Sequence, residues 1–169
     1  ANLGSDATTS TGIDLQANEI VQAAGLSVST QGADVNYTVH ASNDTYAMRI
    51  GESTSGATNT INADGGDITL SSTAKSGQNV RRAIQLINAD LSTTGSGEID
   101  VTGDATDSGI TSSNAWGIQF YGSQLQTDSG DITLTATVGK DSRDSRGIIA
   151  QNTDLHLLSD TGSITLLAT

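Results

Sequence analysis

The stretch Gly66-Asp67-Ile68-Thr69-Leu70 returns unchanged as Gly130-Asp131-Ile132-Thr133-Leu134, and in altered form as Gly97-Glu98-Ile99-Asp100-Val101 and Gly162-Ser163-Ile164-Thr165-Leu166. In each copy apolar residues alternate with Thr, Ser or Asp, the period-2 pattern of a strand with one buried face. Leu26-Ser27-Val28-Ser29 reads as a fifth copy. Outward from these strands two further beats recur. One is a small residue with an apolar pair: Gly12-Ile13-Asp14-Leu15, Ala47-Met48-Arg49-Ile50, Ala83-Ile84-Gln85-Leu86, Gly117-Ile118-Gln119-Phe120 and Gly147-Ile148-Ile149-Ala150. The other is a lone apolar residue at Ile20, Ile61, Leu91, Leu125 and Leu155.

A recurrence of 20–50 residues marks a stacked repeat, in which each unit buries its apolar face against the next. The beats predict an all-β parallel β-helix, a solenoid of about five coils of about 32 residues, with three strands per coil and no capping helix. Residues 1–11 read as an incoming loop, and the coils as 12–30, 31–72, 73–103, 104–136 and 137–169. The second coil is long, and its excess falls partly in Gly51–Thr58, a polar stretch expected to bulge outward. The phase predicts uncapped ends that stack on copies of the chain or on flanking coils of a longer array.

Composition agrees with a thin, repeated core. Apolar residues are 34% of the chain and 19 acids face 7 bases, a balance that leaves many chains unfolded. Here the few Ile, Leu and Val fall in fixed columns, so stacking makes one continuous core of them. The net charge of −12 repels phosphate backbones, so no nucleic-acid partner is expected. No apolar run reaches the ~18–20 residues of a membrane span.

The Gly-Asp-Ile-Thr-Leu copies, with the Gly-Ile-x-apolar beats, resemble the filamentous-haemagglutinin-like repeats of large bacterial surface exoproteins over about residues 12–169. The resemblance implies a right-handed parallel β-helix exported to the bacterial cell surface or exterior, used for adhesion or surface structure, and with no active-site residues. The expected partners are then further coils end to end, surface glycans, or a receptor on a host or neighbouring cell.

Individual residues give the candidate sites. Gly25, Asp67, Glu98, Asp131 and Ser163 each precede a third-beat strand. Stacked acids repel one another, and either backbone N–H groups at the turn or a calcium ion between coils would relieve them. The turn is the expected answer and no cofactor is assigned; Asp67, Glu98 and Asp131 are the calcium candidates, with Asp104, Asp107, Asp141 and Asp144 behind them. The outward column Ser27/Ser29, Thr69/Ser71, Asp100/Thr102, Thr133/Thr135 and Thr165/Leu167 raises ice binding as a remote alternative.

Trp116 and Tyr121 flank the inward Ile118 and Phe120, and Arg81 and Arg82 stand in a basic loop with Lys75; these are the glycan-binding candidates. Lys140, Arg143 and Arg146 form a second basic loop in which Asp141 and Asp144 are interleaved as ion-pair partners. No nucleophile motif appears, and His40 in a long loop and the outward His156 share no ligand cluster. The expectation is therefore a non-enzymatic structural and adhesive segment, with a glycan-binding or glycan-cleaving β-helix as the alternative.

Overall fold

The computed structural model describes residues 2–3, 7–9, 11–42, 46–52, 56–74, 82–106, 115–139, 145–151 and 154–169. Among these residues there is no helix; the strands form three six-stranded sheets. The first sheet holds β1 (Asn2–Leu3), β4 (Ile20–Gln22), β7 (Tyr46–Ile50), β10 (Arg82–Ile87), β13 (Trp116–Tyr121) and β16 (Arg146–Ala150). The second holds β2 (Ala7–Thr9), β5 (Ser27–Thr30), β8 (Asn59–Asn62), β11 (Ala89–Ser92), β14 (Ser123–Thr127) and β17 (Leu155–Ser159). The third holds β3 (Ile13–Ala17), β6 (Val35–Ser42), β9 (Ile68–Ala74), β12 (Ile99–Ala105), β15 (Ile132–Val138) and β18 (Ile164–Ala168).

Each strand pairs in parallel with its equivalent one coil away, so the molecule is a β-solenoid with three strands per coil. Ile13, Val35, Ile68, Ile99, Ile132 and Ile164 stand in one register column, successive members being 22, 33, 31, 33 and 32 residues apart. Four turns of about 32 residues thus follow one short turn. Like side chains stack on like: Ile20, Met48, Ile84 and Ile118 in the first sheet, Val28, Ile61, Leu91 and Leu125 in the second, and Leu70, Val101 and Leu134 in the third are all fully buried. Burying each such side chain contributes about 1.5–3 kcal/mol, which is how a sparse apolar set sustains the fold.

The amino-terminal phase differs from the sequence expectation. Residues 1–11 are not simply a loop, because Asn2–Leu3 and Ala7–Thr9 already pair with Val21–Gln22 and Val28–Thr30. Ile13-Asp14-Leu15 is a third strand rather than a first one, Ile20 a first-sheet residue opposite Met48, and Val28 a second-sheet residue opposite Ile61. The third strand of that coil is β6, in the region read as loop, so the boundaries 12–30 and 31–72 do not divide coils. The cause is the short turn: residues 18 and 19 alone join β3 to β4, where later coils carry longer connections. His40 accordingly sits on β6, exposed and opposite Thr73. At the other end Leu125 pairs with Leu157, not Leu155, which stands opposite Ser123.

Candidate functional site

Two surfaces carry the candidate residues. The first is the corner between the second and third sheets. There the acid column is Asp34, Asp67, Glu98 and Asp131, then Ser163; Gly25 does not belong to it, since it lies in the turn between β4 and β5 with its N–H donated to Asn59 Oδ1 at 2.9 Å. The carboxylate of Asp34 accepts the Asp67 N–H at 3.0 Å, that of Asp67 the Glu98 N–H at 2.9 Å, and that of Asp131 the Ser163 N–H at 2.7 Å. These three carboxylates therefore reach along the stack, and charge-assisted bonds from N–H dipoles offset the like-charge repulsion. Among the described residues no group of three or more His, Asp or Glu is gathered as a metal-ion site. Asp104 closes a local turn, its Oδ1 accepting both the N–H and the hydroxyl of Thr106 at 2.9 and 2.6 Å. Asp107, Asp141 and Asp144 lie outside the described residues.

The glycine before Asp67, Glu98, Asp131 and Ser163 has a steric origin. A Cβ at Gly97, Gly130 or Gly162 would overlap the carbonyl oxygen of Gly66, Gly97 or Gly130 on the neighbouring coil, and one at Gly66 would overlap the Ala33 carbonyl. Beneath the same corner, hydroxyls meet these carbonyls: the buried Thr93 and Thr127 donate to Gly66 O and Gly130 O, each at 2.6 Å, and the half-buried Ser159 donates to Gly130 O at 3.0 Å. The corner is a backbone-to-backbone joint. The outward column of the third sheet is less regular than the sequence suggested, because Asp14/Gln16 and Asn36/Thr38 occupy the places assigned to Ser27/Ser29.

The second surface is the outer side of the first sheet. The register sets Tyr46, Arg82, Trp116 and Arg146 in one column. The Arg82 guanidinium carbon lies 5.0 Å from the Tyr46 ring centre and 4.5 Å from that of Trp116, and Arg49 lies 5.4 Å from Tyr46. These are cation–π distances, and they hold the Arg82 head between two rings. Arg49 also pairs with Glu52 at 3.5 Å. Among the described residues no carboxylate pairs with Arg82, and its Nε and the Trp116 Nε1 are buried without hydrogen-bond partners.

Beside this column runs a row of amides. Gln85 Nε2 donates to Gln119 Oε1 at 2.8 Å, and Gln119 Nε2 donates to Tyr121 Oη at 2.7 Å and Gln151 Oε1 at 2.8 Å. The Tyr121 hydroxyl donates onward to Gln151 Oε1 at 3.0 Å. Gln119 is fully buried on a strand position that alternation would point outward, and its hydrogen bonds satisfy it there. The network fixes the Tyr121 ring at the rim of a pocket of about 340 Å³ lined by Tyr46, Arg49, Glu52, Arg82, Gln85, Ile87 and Tyr121.

Of the glycan candidates, Arg82 and Tyr121 come together in this pocket, and Trp116 backs it from the far side of Arg82. Arg81 lies outside the described residues, as do Lys75, Lys140 and Arg143. Tyr46, Arg49 and the glutamines were not singled out from sequence. Their signal was the residue between the two apolar members of the first beat: Arg49, Gln85 and Gln119 fill one polar column inside otherwise apolar strands. Comparison of the chain with models of protein families, with curated proteins and with solved structures finds no match.

Proposed function

We propose that this chain is a structural and adhesive segment of an extracellular bacterial β-solenoid fibre. The observation that carries the reading is the uninterrupted parallel stack: in all three sheets each strand pairs in register with its equivalent one coil away, and one apolar core runs through the coils. Such a stack extends by repetition, each coil pairing its backbone and burying its apolar columns against the next, which suits an elongated structural element. An antibody raised against the chain should label intact source cells and decorate filaments in electron micrographs; labelling that requires cell lysis would overturn the reading. Self-stacking is checked separately: light scattering should show mass rising with concentration, and a concentration-independent monomer would remove it.

A second reading, a glycan-binding solenoid, is favoured by the rings of Tyr46 and Tyr121 standing with Arg82 around one pocket on the first sheet. Flat aromatic faces suit the apolar side of a sugar ring and amides suit its hydroxyls. A glycan array showing no retained saccharide would remove this reading and leave the fibre reading intact.

A further inference from the structure

We infer that the pocket on the first sheet recognises a saccharide bearing a single carboxylate on its ring unit, a uronate-type sugar; this rests on the glycan-binding reading. Charge is the first argument. Arg49 and Arg82 against Glu52 leave the pocket with one net positive charge on a chain whose overall charge is −12. Glu52 already engages Arg49 at 3.5 Å, so among the described residues the cation without a carboxylate is Arg82. One guanidinium matches one carboxylate, and its planar donor fork fits a planar acceptor in a two-point bond.

Pre-organisation is the second argument. Tyr46 and Trp116 hold the Arg82 head from both sides at 5.0 and 4.5 Å, so little side-chain freedom remains to be lost on binding. Tyr121 is fixed by Gln119 and Gln151, and Gln85 brings an amide to the same wall. Rings for the sugar face, the Gln85 amide for a hydroxyl and one clamped cation for its acid group converge on a space of about 340 Å³, the size of a small-molecule pocket. An acidic peptide would use the cation but not the rings. A densely sulfated sugar would bring several charges on one ring unit to a pocket that neutralises one and holds Glu52 beside it.

Trp116 is the only tryptophan of the chain and touches Arg82, so its fluorescence reports the site directly. The full chain should show a saturable change with a short oligogalacturonide, and none with its methyl-esterified neutral form, with dextran sulfate or with poly-glutamate. Arg82→Met should weaken binding about tenfold or more. Glu52→Gln, which frees Arg49, should strengthen it several-fold, and this variant keeps the test decisive if the first misfolds. Equal response to charged and neutral sugars would overturn the carboxylate assignment while sparing the glycan reading. Response to dextran sulfate or poly-glutamate alone would overturn the assignment in favour of those ligands, and no response to any probe would remove it together with the glycan reading.

Discussion

The corner between the second and third sheets and the outer face of the first sheet belong to the same coils, yet they obey different rules. At the corner, each coil from Gly66 onward places a glycine, then an acid or serine, then an isoleucine, and main-chain atoms of neighbouring coils meet at the glycine. On the first sheet the equivalent column runs Tyr46, Arg82, Trp116, Arg146, with no residue repeated in adjacent coils. Backbone spacing is the same everywhere in a stack, so a joint made of backbone admits one solution. A face made of side chains needs neighbours that fit each other and can differ from coil to coil. Uniformity here marks where the fold is held, and variety marks where the surface is free to specialise.

The largest expected effect tests the rigid side of that contrast. Gly130→Val should cost at least about 3 kcal/mol in urea unfolding, because the added carbon overlaps the Gly97 carbonyl and the coils must part to admit it. If the cost is below about 1 kcal/mol, the corner is not the joint described.

Next comes Tyr37, where variety has entered the repeated third sheet between Leu15 and Leu70. Its hydroxyl is buried without a partner, so Tyr37→Phe should stabilise the fold by about 1–2 kcal/mol. Burial also pushes the Tyr37 phenol well above its ordinary value of 10.0. The unfolded chain then loses this proton near pH 10 while the folded chain keeps it, so stability falls as pH rises from that point. Unfolding curves at neutral pH and at about pH 11 should show a larger alkaline loss for the wild type than for the Phe variant.

Removing one rung of the acid ladder should matter less. Asp67→Ala deletes the acceptor of the Glu98 N–H and should cost about 1 kcal/mol, whereas Asp67→Asn, which retains an acceptor oxygen, should cost less than half of that. Smallest is the free face: Arg82→Met gives up two cation–π contacts but keeps an apolar stem between the rings and removes a buried unpartnered Nε, so stability should change by less than about 1 kcal/mol. A large loss there would move the first sheet into the same class as the corner.

The same division explains what could be read from sequence. The third-sheet copies from Ile68 onward were legible because the backbone joint demands glycine beside them. The preceding coil was misplaced because Ala33 stands where the later coils have Gly66, Gly97, Gly130 and Gly162, so Val35-Asn36-Tyr37 lost its marker. Ile13-Asp14-Leu15, meanwhile, has the alternation of either a first or a third strand, and a 22-residue turn gives no periodic warning. At the candidate site, Trp116, Tyr121 and Arg82 were visible as unusual residue types. Their meeting with Tyr46 and Arg49 was not, since it depends on the register that sets Arg82 opposite Tyr46 and Gln85 opposite Arg49. Gln119 was hidden for another reason: a polar residue between Ile118 and Phe120 looks solvent-facing until its amide partners on other coils are known.

The unequal turns have a consequence for length. A turn of 22 residues and a turn of 33 each advance the stack by one strand spacing, ~4.8 Å, because the pairing is strand to strand whatever lies between. Residues added to a loop change what the surface displays without shifting its height along the axis. The solenoid behaves as a ruler whose graduations are indifferent to what is hung on them, so a contact such as Arg82 keeps its address while the loops around it are rewritten.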